Sequence, residues 1–193
     1  METIKSVSQW PKYPIGPHEG IFALGVVAVK FAAMEALLEY FFWSIFDLKM
    51  DNASIIFANV GPMNGIKMMR DRLKTDMITD LEKEHTSHFF EAYDICNLNR
   101  NNLLHSSAGH ITPHHTVLFK TAKSGKILML VPTLSELKKF ADSMHEFCEY
   151  GRGVVNALGR NGQTTFSASN FPWPDKPNLP LKMSYSSDPH PLP

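Results

Sequence analysis

From Glu19 to Asp47 the chain runs without a proline, while Phe22, Val26, Val29, Ala33, Leu37, Tyr40 and Phe41 recur at steps of three and four. That spacing is the signature of a helix with one apolar face. Phe42, Trp43 and Ile45 add apolar residues on other faces, so the C-terminal half is expected to be buried on two sides. Lys30, Glu35 and Glu39 interrupt the stretch at intervals shorter than the roughly 20 apolar residues of a membrane span. The segment therefore reads as a buried amphipathic helix, and a helix of this length needs other helices to pack on.

The following segments supply them. Asp51, Asn52 and Ser54 are N-cap candidates for a short helix through Val60, which Gly61-Pro62 breaks. Helical spacing resumes from Met63 to Asp76, where Lys67, Arg70, Asp71, Arg72 and Lys74 form a solvated face. Thr79 and Glu82 make a capping box for a helix carrying Leu81, Phe89, Phe90, Tyr93, Cys96, Leu103 and Leu104, expected to end between Ser106 and Gly109. Two β-prone runs, His115 to Phe119 and Ile127 to Val131, flank a turn at Lys123-Ser124-Gly125-Lys126 and predict a hairpin. Thr133 or Ser135 with Glu136 opens a last helix through Leu158, stopped by Gly159 and Gly162.

The two ends differ from this body. Residues 1–18 carry Pro11, Pro14, Gly16 and Pro17 and read as an extended N-terminal strap that Trp10 pins down. The last 23 residues hold seven of the 13 prolines and read as an extended tail, with Phe171, Trp173 and Tyr185 available to strap it to the domain. The expected architecture is all-α: an antiparallel helical bundle over residues 19–162 with a small β-hairpin insertion, followed by a proline-rich tail over 163–193.

Nineteen basic and nineteen acidic side chains cancel, which excludes a protein that coats nucleic acid by bulk electrostatics. Any phosphate chemistry must come from a local constellation. Two cysteines do not make a disulfide scaffold, and Cys96 and Cys148 read as buried reduced thiols. No basic and apolar leader is visible at the N-terminus, so the expected location is cytoplasmic.

One constellation stands out. Asn97, Asn101 and His105 are spaced i, i+4, i+8 and share one helical face, which Arg100 adjoins. Arginine supplies a permanent planar cation for phosphate oxygens, asparagine a neutral donor and acceptor, and histidine a proton acceptor near pH 7. Phosphodiester cleavage without a metal needs these three abilities. A structural alternative exists for the same residues: a histidine in the last helical turn interacts with open carbonyls, and Arg100 can pair with Glu91 or Asp94.

Arg100-Asn101-Asn102-Leu103-Leu104-His105, an arginine, a small polar residue, three further positions and a histidine at a helix end, resembles the motif of the HEPN superfamily of helical ribonucleases and toxins. The resemblance implies a helical bundle and a symmetric homodimer whose two motif copies face each other in one composite site. It implies that Arg100 and His105 are catalytic and Asn97 and Asn101 supporting. The implied reaction is metal-independent cleavage of an RNA substrate through 2′-hydroxyl attack. It further implies a role as a toxin, with an antitoxin or defence partner protein, or in defence against phages and plasmids. Many members are instead non-catalytic modules that bind a nucleotide or a protein. The hairpin and the tail depart from a minimal HEPN unit.

Six of the nine histidines fall between residues 85 and 115, which raises a metal alternative. No HExxH, CxxC or repeated ExxH occurs, and His85 and His88 lie several turns before His105, His110, His114 and His115. No metal or cofactor is expected, and the histidines other than His105 read as mostly surface. Gly151 to Val155 and Gly159 to Gly162 lack the strand context of a phosphate loop. Neither a nucleotide cofactor nor a membrane partner is indicated.

Overall fold

A computed structural model describes residues 18–75, 78–108, 118–121, 123–158 and 172–185. Five helices and three strands follow one another in these residues: α1 (His18–Phe46), α2 (Met50–Val60), α3 (Pro62–Leu73), α4 (Asp80–Leu104), β1 (Ser107–Ala108), β2 (Leu118–Thr121), β3 (Ile127–Leu130) and α5 (Leu134–Leu158). The N-terminal strap with Trp10, the Gly159 and Gly162 stops, Phe171 and the end of the tail lie outside the described residues, as do Gly109, His110, His114 and His115; α4 ends earlier than expected, at Leu104 with His105 as its C-cap.

Local chemistry accounts for the helix boundaries. Thr79 Oγ1 accepts from the Glu82 amide at 3.3 Å while the Glu82 carboxylate takes the Thr79 amide at 2.7 Å. Thr133 and Glu136 repeat this at the start of α5, at 3.1 and 2.7 Å. Each box satisfies two amides that a helix start leaves open. Gly61, with φ of 76°, lets the chain turn between α2 and α3, and Pro62 opens α3 where no amide hydrogen is needed. The expected cap of α2 is corrected: Lys49 occupies the N-cap position without a side-chain bond, and Asp51 falls in the first turn, where its charge meets the helix dipole.

Packing corrects the reading of α1. Its buried face is Ala23, Val27, Phe31, Met34, Leu37, Leu38, Phe41, Phe42 and Ile45, so Leu37 and Phe41 of the expected stripe are core, whereas Phe22 is 74% and Val29 70% exposed and Tyr40 also faces out. A helix apolar on nearly every side offers several equivalent stripes, and only its neighbours select one. α1 is also the one helix among the described residues long and apolar enough to cross a membrane. Its charged side chains meet partners on other helices: Lys30 with His145, Glu35 with Tyr93, and Glu39 with Ser54.

α4 runs antiparallel to α1, α3 and α5. Phe31 meets Tyr93 while Phe41 meets Phe89; Met63 meets Asn97 while Arg70 pairs with Asp94 at 2.6 Å; and Phe147 meets His88 while Tyr150 meets His85. The Arg70 pair and Lys74–Asp71 match the solvated face expected of α3, but Arg72 is half-buried. α1 and α5 pack closely in the same direction, with Lys30 beside His145 and Leu37 beside Gly151. Both cysteines are buried free thiols, Cys96 pushed up to about 12 by burial.

At the α5 crossing a β-carbon on Gly151 would lie 2.5 Å from Phe89 Cε2 and 3.1 Å from Leu37 Cδ1. Phe89 is itself wedged against Phe41 and fully buried, so it has nowhere to retreat. Gly151→Val is expected to cost about 3 kcal/mol by overpacking, read as a lower midpoint in urea unfolding. An unchanged midpoint would show that the helices separate freely here.

The hairpin forms as expected, with Leu118 paired to Leu130 and Thr121 to Ile127, and Gly125 at φ of 79° in the turn. The structure adds β1, which pairs antiparallel with β2 through Ser107 and Phe119 and so extends the hairpin into a three-stranded sheet. Two residues carry too little pattern to be read as a strand.

Residues 172–185 have no regular hydrogen-bonding pattern and run along α4 in its own direction. Trp173 stacks on His85, with ring centroids 4.7 Å apart. Lys176 pairs with Glu84, and the Pro177 carbonyl meets His88 Nε2 at 2.8 Å. Further along, Asn99 and Asn102 hold Leu181 and Met183, and Tyr185 reaches Ser106. The expectation that Trp173 and Tyr185 strap the tail to the body holds in this segment.

Candidate active site

The last turns of α4 carry the constellation. Arg100 Nη1 donates to Asn101 Oδ1 at 2.9 Å and to His105 Nε2 at 3.1 Å. A guanidinium only donates, so in this arrangement Nε2 accepts and the imidazole proton sits on Nδ1. Asn101 Nδ2 donates to Asn97 Oδ1 at 3.2 Å, and Asn97 Nδ2 points at Met63 Sδ on α3 at 3.7 Å. All four residues named from spacing thus form one connected row. Arg100, Asn97 and Asn101 are half-buried, and His105, the C-cap residue, is exposed.

Beneath the row lies an aromatic floor. The Arg100 guanidinium carbon is 5.3 Å from the Phe31 ring centroid, and Phe31 stacks on buried Tyr93 at 5.4 Å. A cation over a ring face is attracted by the ring quadrupole, which fixes the plane of the guanidinium. Burial, reinforced by the Glu35 carboxylate, pushes the Tyr93 phenol well above its usual range, and its hydroxyl stays protonated. Arg100 therefore pairs with neither Glu91 nor Asp94 in the contacts described; Asp94 pairs with Arg70. A fixed cation, an imidazole whose Nε2 accepts from that cation and two amides suit an anion that displaces the Arg100–His105 contact.

The asparagines of this run divide. At about 100° per residue, Asn97, Arg100, Asn101 and His105 point one way, and Asn99 and Asn102 point to the opposite side. Asn99 is fully buried and acts like a strand neighbour, donating to Leu181 O at 2.7 Å and accepting from Met183 N at 2.8 Å. Asn102 donates to Met183 O at 3.3 Å. Sequence reasoning missed both roles. The one trace in the sequence was their offset from the Asn97 stripe, on the face that also carries Glu84 and His88.

The surface reading of His85 and His88 is corrected. His85 is 7% exposed, and its Nδ1 lies 2.9 Å from the Tyr150 hydroxyl, which donates onward to the His85 carbonyl at 3.1 Å. The Tyr150 proton being committed, His85 Nδ1 carries a hydrogen and donates to the phenol oxygen. Among the described residues no three His, Cys, Asp or Glu side chains cluster as a metal site would require.

Burial, then the Lys176 charge, holds His85 below the ordinary histidine value, against a smaller upward pull from Glu84. The unfolded chain takes up this proton near pH 6.5 while the folded chain resists it. The stability His85 contributes is complete above about pH 6.5 and is lost as pH falls toward its folded pKa. Thermal midpoints are expected to decline over that acid window, and His85→Phe to flatten the decline. An identical slope in the variant would remove His85 as the cause.

No family model matches this chain, and neither a curated protein nor a solved structure matches it.

Proposed function

We propose that the chain is a HEPN-like, metal-independent endoribonuclease acting as a cytoplasmic homodimer, with Arg100 and His105 catalytic and Asn97 and Asn101 orienting the RNA. The observation that carries this reading is the convergence of Arg100 Nη1 on both Asn101 and His105 at an open helix end. A mostly helical body, with α4 presenting the motif at its end, agrees with it.

In the proposed reaction His105 Nε2 takes the proton of a ribose 2′-hydroxyl. The oxygen attacks the adjacent phosphorus, the P–O5′ bond breaks, and the products are a 2′,3′-cyclic phosphate and a 5′-hydroxyl. Arg100 neutralises the charge that grows on the non-bridging oxygens. The second copy's motif supplies the acid that protonates the departing O5′. A toxin or defence role, with an antitoxin or defence partner protein, follows from the same reading.

The test is incubation of the purified dimer with mixed RNAs in chelator. Cleavage leaving cyclic phosphate ends, absent in His105→Ala, is the expected result. A folded wild-type protein that leaves every RNA intact overturns the reading. One observation favours the second reading, a non-catalytic nucleotide- or protein-binding dimer module: Arg100 and His105 are bonded to each other, so a phosphate must open that contact. RNA retained without cleavage would select it.

A further inference from the structure

Seventy-nine residues separate Ser106 from Tyr185, yet their hydroxyls touch beside the residue on which the proposed chemistry depends. His105 is the C-cap of α4, with backbone angles of −107° and 13° that leave the helix, and its amide still bonds to Asn101 O at 3.1 Å. Its imidazole is exposed. Core packing therefore does not orient it. Its direction is set by the backbone of the cap and by the contact with Arg100.

That backbone is held from the far side. Ser106 Oγ donates to Asn102 O at 2.5 Å, and Tyr185 OH donates to the same carbonyl at 2.9 Å. The carbonyl belongs to the last turn of α4, where helix geometry leaves acceptors open. Two hydroxyl protons are thus shared among three oxygens, and the triangle ties the residue after His105 back onto the helix. From there the chain enters β1, which is pinned to β2. Tyr185 is delivered by the strap: Asn99 holds Leu181 and Met183, Asn102 holds Met183, and Lys120 of β2 lies 5.9 Å from the Tyr185 ring centroid.

We infer that Tyr185 is a positioning residue of the Arg100–His105 site, acting through Ser106 and the Asn102 carbonyl, so that residues 172–185 form part of the site's architecture. This rests on the ribonuclease reading above for its effect on rate, and on the hydrogen-bond geometry alone for its effect on His105. A general base must be held close to its productive position, and a displacement of about 1 Å is enough to slow a reaction as much as a hundredfold.

The experiment uses the full chain with Tyr185→Phe, which keeps the ring and removes the hydroxyl, and Ser106→Ala, which removes the middle of the triangle. Two readouts are taken: the imidazole NMR titration of His105 without RNA, and kcat and KM on RNA. Both variants are expected to shift the His105 titration curve. They are also expected to lower kcat about tenfold with KM within about twofold. Lys176→Ala, which loosens the strap at its distant end against Glu84, is the control, expected to leave the His105 titration unchanged. A His105 titration identical to wild type in both hydroxyl variants overturns the inference. So does a shift of the same size in Lys176→Ala, which would mark the strap as a general stabiliser. If the titration shifts while wild type cleaves no RNA, the positioning stands and the ribonuclease reading falls.

Discussion

Arg100→Ala is expected to reduce single-turnover RNA cleavage about a thousandfold, with the far-ultraviolet spectrum and the thermal midpoint nearly unchanged. The size follows from what the side chain does. Its guanidinium is held over Phe31 and hydrogen-bonded to Asn101, so in the proposed reaction its charge would already stand where negative charge grows. Arg100→Lys is expected to recover little of the loss, because an ammonium cannot keep the planar contact with the ring while reaching both His105 and a phosphate oxygen. The half-buried position of Arg100 predicts a small stability effect, and this separates a chemical role from a structural one. A rate within tenfold of wild type in Arg100→Ala would remove this residue from the chemistry.

Asn99→Leu is expected to cost about 3 kcal/mol of stability, as much as Gly151→Val. Leucine keeps the branch point and heavy-atom count of asparagine, with bulkier methyl groups, while two hydrogen bonds disappear. The buried Met183 amide and the part-buried Leu181 carbonyl are left facing an apolar side chain, and an unsatisfied buried group costs about 1–3 kcal/mol. For a chain of this length that corresponds to a fall of roughly 10 °C in the thermal midpoint. Limited proteolysis is expected to cut within 172–185 well before the helical body. Equal resistance of the strap in Asn99→Leu and wild type would show that Trp173, Pro177 and Tyr185 hold it without the asparagine. Asn97→Leu, on the opposite face, is the matched control and is expected to leave the midpoint within about 0.5 kcal/mol of wild type.

These two predictions separate residues that are immediate neighbours in one asparagine-rich run. The grouping of Asn97, Asn101 and His105 was legible because helical geometry alone puts i, i+4 and i+8 on one side. The starts of α4 and α5 were legible for a similar reason, since Thr79 with Glu82 and Thr133 with Glu136 complete their bonds within a single turn. Gly61-Pro62 likewise announced the break between α2 and α3 from two residues.

What was not legible depends on partners far along the chain. Asn99 meets Leu181 and Met183 more than eighty residues away, and nothing in the run Asn97 to His105 announces that a strap will lie on its back. His85 looked like one of many surface histidines until Tyr150 and Trp173 closed over it. β1 is two residues long and exists because β2 offers it an edge.

The sequence by itself determined that this chain is helical, where four of its helices begin or break, and that Arg100, Asn101 and His105 share one end of a helix. Each of those depends on hydrogen bonds and steric limits spanning a few residues. Tertiary structure decided which side of α1 faces the core, which asparagines turn toward solvent and which toward the strap, and what holds the turn bearing His105. An all-round apolar helix and a run of identical polar side chains offer several faces of nearly equal merit. Contacts between distant segments, by burying one face and satisfying its polar groups, break that tie.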